Sequence, residues 1–526
     1  MDFNRTFNEV HNVSALLGAS NESYTKQASR IAWEYTDEDL GLPTTDESIQ
    51  NKDNYNTNNG TDQTSITSIF GRVGYNYKDK YYGDVSFRYD GSSKFAKDHR
   101  WGFFPSFSAG WRLSEESFME DYKSNIGDLK LRASYGVLGN QNVDNYSYQT
   151  VYQMNNNGYV FNNLSVPSTS YTDGNALLTW EKSANFNIGA DATFLNGNLY
   201  LSVDYFDKKT SNILLTPEVS TIYGGSAAKE NAGEMRNRGW EVTINYKLNS
   251  GEFHHNFNFN ISDSKNKVTD FGGKERIDQN DQLYKIIREG EALGSYYGYK
   301  TDGLFQSYEE IANSALPVGA SVQPGDVKYV DQNNDGVIDE KDRVVLGNAF
   351  PRYTFGFTYN VAWRGFDLNV MLQGVGKRSQ YLRGELMESF HSNYSYCIYE
   401  HQLDFWTPTN PDARWPRLVA PGSSSSTNNW GMAGSDIYLL NAAYLRVKNV
   451  QLGYTIPKTW TQKFGVDKLR VSINVENPLT FAKNSFIDPE SSEFGSDMGG
   501  ISGIGANSGR NYPTLSYYGF GLDIEF

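Results

Sequence analysis

From Asp331 to Asp342 the chain reads Asp-Gln-Asn-Asn-Asp-Gly-Val-Ile-Asp-Glu-Lys-Asp, with an oxygen-bearing side chain at nearly every second position. Hard oxygen donors at that spacing, with Gly336 allowing a sharp turn, are what a loop needs to wrap one Ca²⁺. The expected ligands are the side chains of Asp331, Asn333, Asp335 and Asp342, the backbone carbonyl of Val337, and Asp339 directly or through water. Asp342 stands where the pattern carries Glu, and its shorter reach makes bidentate coordination harder. The plainer alternative is an Asn/Asp-rich turn. In either case the expected role is to order a long loop, not to catalyse.

Other chemistry is sparse. The six histidines, His11, His99, His254, His255, His391 and His401, have no metalloprotease spacing, and no glycine-rich stretch is followed by Lys-Ser/Thr. The run from Gly495 to Gly509 reads as a flexible loop. Cys397 is the single cysteine, so it has no disulfide or metal partner within the chain. Scattered carboxylates do not make a glycosidase pair, which requires a defined separation in space. An enzyme is therefore not expected. A net charge of -15 also argues against a nucleic-acid partner, because neutralising phosphates takes a cationic surface. Trp406, Trp415 and Trp430, with Tyr394 and Tyr396, sit in the longest loop and offer stacking surfaces for a sugar or peptide. More commonly such rings pack a loop against its neighbours.

The elements that must position these residues are strands. Aromatic residues make up 15% of the chain, with 37 Tyr and 49 Gly, and no apolar run reaches the roughly 18 residues of a membrane helix. Ile69, Gly71, Val73, Tyr75 and Tyr77 share one face, as do Tyr81, Gly83, Val85, Phe87 and Tyr89 after Lys78-Asp79-Lys80. Arg72, Arg88, Asp84 and Asp90 take the other face. Rings on one side and charges of both signs on the other suit a lipid surface and a watery lumen. The pattern recurs through about fourteen strands, which brings Arg112 and Arg132 to the same polar face. These four arginines are the lumen candidates for substrate contact.

Working back from the C-terminus, long and short connections alternate, with one partial exception, Ser114 to Gly127, which is moderate where a tight turn is expected. Outer-membrane barrels, with short periplasmic turns and longer extracellular loops, show that alternation. The expected fold is all-β, an antiparallel transmembrane barrel embedded in outer-membrane lipid. Residues 1–65 are expected to hold the first strand or strands and a long loop from Thr25 to Ser65, and residues 66–264 a hairpin series. Residues 265–351 are expected to be a long extracellular loop carrying the cation loop, and residues 352–526 the final hairpins and closing strand. In that last strand Phe520, Leu522, Ile524 and Phe526 alternate with polar or small residues and read as an assembly signal.

Several stretches resemble the SusC/RagA type of TonB-dependent outer-membrane transporter. They are Lys80-Tyr81-Tyr82-Gly83-Asp84-Val85-Ser86-Phe87-Arg88-Tyr89-Asp90-Gly91-Ser92-Ser93-Lys94-Phe95 with Phe104-Pro105-Ser106, Asn231-Ala232-Gly233-Glu234-Met235-Arg236-Asn237-Arg238-Gly239-Trp240-Glu241, Tyr444-Leu445-Arg446-Val447-Lys448-Asn449-Val450-Gln451-Leu452-Gly453-Tyr454, and Glu476-Asn477-Pro478-Leu479-Thr480. Each is weak alone, but together, in this order, they are specific. The resemblance also places a Gly-Asp-Val-Lys-Tyr segment, here Gly325 to Tyr329, before the cation loop. It implies import of bulky nutrients, glycan oligomers or peptides, with a SusD-like surface lipoprotein and energy from the TonB complex. It further implies that this chain is the C-terminal barrel portion of a larger, 22-stranded type. No export signal, plug or TonB-contacting segment is legible in it. The alternative from a different class is a soluble or surface-attached β-rich protein that binds glycans.

Overall fold

The computed structural model describes residues 1–35, 50–122, 126–161, 164–217, 219–280, 283–392, 396–432, 434–484, 486–490, 506–507, 509 and 512–526. No helix in it is long and apolar enough to cross a membrane. Fifteen strands follow one another in chain order in one sheet, one more than the alternation of side chains suggests. They are β1 (Asp2–Phe7), β2 (His11–Tyr35), β3 (Gln50–Tyr77), β4 (Tyr81–Ser92), β5 (Trp101–Arg112), β6 (Ile126–Asn140), β7 (Glu181–Phe194) and β8 (Leu199–Ser211). The remainder are β9 (Glu234–Ser250), β10 (Phe253–Asp270), β11 (Arg352–Trp363), β12 (Phe366–Lys377), β13 (Tyr444–Thr455), β14 (Lys468–Ala482) and β15 (Tyr517–Glu525).

The short connections share one device, a residue held at positive φ, which twists the backbone as tight hairpins demand. Asn8 and Glu9 (φ 48° and 61°) reverse the chain between β1 and β2, and Lys78 and Asp79 (54° and 53°) between β3 and β4. Asn196 and Gly197 (56° and 82°) lie between β7 and β8, and Arg364 and Gly365 (46° and 88°) between β11 and β12. The moderate connection from Ser114 onwards is taken up by two 3₁₀ turns, Leu113–Glu115 and Ser117–Tyr122.

Two compact units are defined. The first comprises Met1–Gly110, Ala133–Phe186 and Lys209–Glu234; the second comprises Trp111–Arg132, Asn187–Lys208 and Met235–Phe526. In the first, β1 to β4 form an antiparallel meander in which Val13 faces Tyr75, and Val73 faces Val85. The expected long loop from Thr25 to Ser65 is corrected here: β2 continues to Tyr35 and pairs with β3 back to Gln50, with one register shift after Ala32. Its Asn- and Thr-rich sequence alternates only briefly, at Ile31, Trp33 and Tyr35, so a test for two-residue periodicity misses most of a strand held by backbone hydrogen bonds. Residues 36–49 lie outside the described residues. Phe95, Phe104, Val143, Leu178 and Trp180 form a small buried core in this unit, where the Trp180 indole donates to the Arg100 carbonyl at 2.7 Å.

In the second unit β10 to β15 form another antiparallel meander, closed on its last edge by β15 against β14 with Phe520 facing Ile473 and Leu522 facing Val471. Phe520 is 74% and Phe526 85% exposed, as rings that face away from the polar side must be. The long connections of this unit are not structureless. Those between β10 and β11 and between β12 and β13, with Ile487 from the one after β14, share one core that includes Tyr296, Tyr329, Tyr381, Trp406, Trp415 and Tyr438. Burying each such ring contributes about 2–3 kcal/mol of apolar transfer, offset in part by the entropy of ordering a loop. These connections are otherwise polar and rich in Asn and Gly. Their apolar residues are widely spaced in sequence and converge only in space.

Candidate functional site

On the polar face the four predicted arginines each meet a carboxylate. Arg72 on β3 donates from Nε to Asp84 on β4 at 2.6 Å. Arg88 reaches Asp90 at 3.1 Å and the Ser68 hydroxyl at 3.1 Å. Arg112 donates to Asp128 at 2.8 Å, and the same carboxylate oxygen accepts from Ser114 at 2.7 Å. Arg132 on β6 is the most heavily engaged, donating to Asp191 on β7 and Asp204 on β8, both at 2.7 Å. Gly189 leaves the space for this bridge: a Cβ there would lie 2.6 Å from Asp204 Oδ1 and 3.0 Å from the Arg132 guanidinium carbon. Arg470 repeats the device between Asp367 at 2.6 Å and Asp523 at 3.1 Å. The polar face is thus a series of Arg–Asp pairs, cross-strand except for Arg88–Asp90, which give a hydrophilic solute a surface rich in donors and acceptors yet locally near neutral.

The Asp331–Asp342 loop has the turn that its sequence calls for, with Asn334 at φ 59° and Gly336 at 85°. Its oxygens, however, hold the loop's own backbone. Asp331 accepts from the N–H groups of Asn334 (2.6 Å) and Gly336 (2.8 Å), Asp335 from Val337 (3.1 Å), and Asp339 from Lys341 (2.8 Å). The buried Asp342 spans the N–H groups of Gln332 and Asp339, each at 2.8 Å. The hydrogen bond from Lys341 N–H holds the Asp339 carboxyl below the usual carboxylate range. The Lys341 ammonium lies 3.4 Å from Asp339 and 3.9 Å from Asp335, and its side chain is 71% exposed. Among the described residues no three carboxylate, His or Cys groups converge on one point that could hold a metal ion. A divalent ion at this loop would have to displace Lys341 and draw the carboxylates inward.

The aromatic residues are placed otherwise than a stacking surface requires. Trp406 and Trp415 are only 7% and 6% exposed, inside the loop core. The Trp406 indole donates to Gln306 at 2.9 Å, and Trp415 stacks on Tyr438 with ring centroids 5.8 Å apart. Trp430 is half-buried against the same core. The expectation that Trp406 and Trp415 meet substrate is corrected, because protein atoms already cover their faces. Tyr396 is exposed, and Tyr394 lies outside the described residues, as does most of the Gly495–Gly509 run.

Two features escape sequence reading. The fully buried Asp326 accepts from Ser425 at 2.6 Å, Asn429 at 3.1 Å and the Gln323 N–H at 2.9 Å, tying two loops more than ninety residues apart. Beside it Gly325 (φ 89°) passes under Trp406, where a Cβ would come within 2.3 Å of the ring. The second is a cavity of about 660 Å³ where β9 to β12 meet their long connections, lined by Arg236, Arg238, Lys265, Lys267, Arg352 and Lys377. The signal for Asp326 lay in the Gly-Asp-Val-Lys-Tyr segment; the cavity had none, since its cations come from four strands.

Strands with a braced polar face, outward rows of exposed rings, and alternating short turns and long connections define a β-barrel receptor of the bacterial outer membrane. The chain belongs to the TonB dependent receptor-like β-barrel family, whose model matches residues 2–477. It is 32% identical over 532 residues to TonB-dependent receptor P26 of Formosa agariphila, covering 98% of this chain and 52% of that protein. It is 29% identical to TonB-dependent receptor SusC of Bacteroides thetaiotaomicron, over 88% of this chain and 44% of that one. The fold is shared with the RagAB peptide transporter structure at a TM-score of 0.78, with 21% identity over 100% of this chain and 54% of that one. The chain thus spans about half the length of the relatives it matches. Family membership sets aside the soluble glycan-binding alternative.

Proposed function

We propose that this chain serves an outer-membrane importer that takes up glycan oligomers or peptides, energised by the TonB complex and capped by a SusD-like lipoprotein. The observation that carries the reading is the pairing of a polar, Arg–Asp-braced strand face with an opposite face of exposed rings. One side suits water and a hydrophilic solute; the other suits lipid. The buried core shared by the long loops supports the lipoprotein part, since it makes those loops a formed surface on which a lid can seat. Calcium at the Asp331–Asp342 loop belongs to the same reading as a structural ion. The alternating oxygen side chains and the left-handed Gly336 support it, while Lys341 is its competitor.

The test is uptake of fluorescent oligosaccharide and peptide pools by cells carrying or lacking the whole protein, with TonB present or deleted. Accumulation that needs both the protein and TonB is expected. Accumulation unchanged by deletion of either would overturn the reading.

A further inference from the structure

The cavity where β9 to β12 meet their long connections deepens that reading by naming a substrate class, and it rests on it. Four neighbouring strands contribute cations: Arg236 and Arg238 from β9, Lys265 and Lys267 from β10, Arg352 from β11 and Lys377 from β12. Arg352 and Lys377 are register partners, which places two positive charges directly opposite each other, an arrangement that costs stability in a strand pair. The carboxylates nearby do not balance the set. Asp207 pairs with both Arg236 (2.7 Å) and Arg238 (2.9 Å), Asp263 is taken by Arg352, and Glu291, the one acid in the lining, lies 3.7 Å from Arg288 outside it. Lys265, Lys267 and Lys377 have no carboxylate at ion-pair distance among the described residues. The lining itself holds six cations and one carboxylate, within a chain whose net charge is -15.

We propose that this cavity binds the anionic groups of a carboxylated or sulfated oligosaccharide. A concave site of one sign focuses its field on an oppositely charged ligand, and the ammonium groups of Lys265, Lys267 and Lys377 suit carboxylates and the oxyanions of sulfate esters as compact point charges. The volume falls in the range of small-molecule sites, about 300–1,000 Å³. The lining also includes Ser264 and Thr269, whose hydroxyls suit sugar hydroxyls, and the partly exposed ring of Phe350. A peptide is the poorer fit. The four strands are each paired on both sides in the sheet, so they offer no open edge to which an extended peptide backbone could bond.

The experiment is calorimetric titration of the whole protein, purified from outer membranes in detergent, with no TonB present, so that failure here is distinct from failure of import. The probes are a chondroitin sulfate tetrasaccharide, its desulfated and methyl-esterified neutral form, and tetraglutamate. Expected are a Kd for the charged sugar at least about tenfold below those of the other two, and loss of that preference in 0.5 M NaCl, where screening shortens the reach of charge. Lys267→Gln with Lys377→Gln should weaken charged-sugar binding by about tenfold while the barrel keeps its heat-modifiable gel mobility. Equal binding of charged and neutral sugars, no binding of either, or an unaltered Kd in the folded double variant would overturn the proposal. Tighter binding of tetraglutamate would reassign the cavity to acidic peptides.

Discussion

Arg446, on β13, donates to Asp488 in the final long connection at 2.7 Å, with the two side chains only 4% and 6% exposed. The same guanidinium donates to Thr480 on β14 at 2.8 Å and pairs with Glu490, which Lys448 also reaches at 2.8 Å. One arginine thus ties two wall strands to a loop. Replacing it with Ala strands a buried carboxylate, a loss of about 3–5 kcal/mol for a pair this enclosed. Arg446→Ala should therefore raise hydrogen exchange and protease nicking around residues 483–490 while β13 and β14 stay protected. Unchanged protection of that loop would show that the pair contributes little.

The same carboxylate gives that loop a pH limit. Burial would raise the Asp488 pKa, but hydrogen bonds from Thr514, the Glu490 N–H and Arg446 outweigh it and hold the carboxyl at about 2. Because the folded value lies below the unfolded one of about 3.9, the stabilisation is complete above pH 4 and is lost as the pH falls from about 4 to 2. Exchange protection of the loop should decline across that window, and the decline should be absent in Asp488→Asn. A transition centred above pH 5 would point to another group.

Arg132 holds two carboxylates, so reversing its charge puts three negative groups together. Arg132→Glu should sharply lower the amount of folded, heat-modifiable barrel in outer membranes. Arg72→Glu, whose side chain is 66% exposed, should leave that amount near normal and alter uptake instead. Equal barrel loss in both variants would make the exposed arginine structural too.

For the Asp331–Asp342 loop, Asp331→Ala with Asp335→Ala should abolish one equivalent of bound calcium in elemental analysis of the purified protein. Lys341→Gln should leave calcium bound or tighten it, because the competing ammonium is gone. If the parent protein holds no calcium after dialysis against a millimolar excess, the loop is a self-capped turn.

Deleting Leu522 to Phe526 removes the outer part of β15, where Leu522 pairs with Val471 and Ile524 with Leu469. Barrel insertion of the whole protein should fall severely, since backbone groups of β14 would lose their partners in a medium without water. Normal insertion after the deletion would refute the assembly role of Phe520, Leu522, Ile524 and Phe526.

Strand identity, the alternation of short and long connections and the polar placement of Arg72, Arg88, Arg112 and Arg132 were all legible in the residues themselves. They depend on a two-residue period and on local turn chemistry, both written within a few neighbouring positions. The turn at Gly336 was legible for the same reason. Tertiary structure alone decided what those side chains do. It joined Arg132 to Asp191 and Asp204, took Trp406 and Trp415 into a core, extended β2 and β3 through a polar stretch without periodicity, and assembled six cations from Arg236 to Lys377 around one cavity. Those relationships join residues tens to more than a hundred positions apart, and their partners are set by strand register and by loop packing in three dimensions, which no local period records.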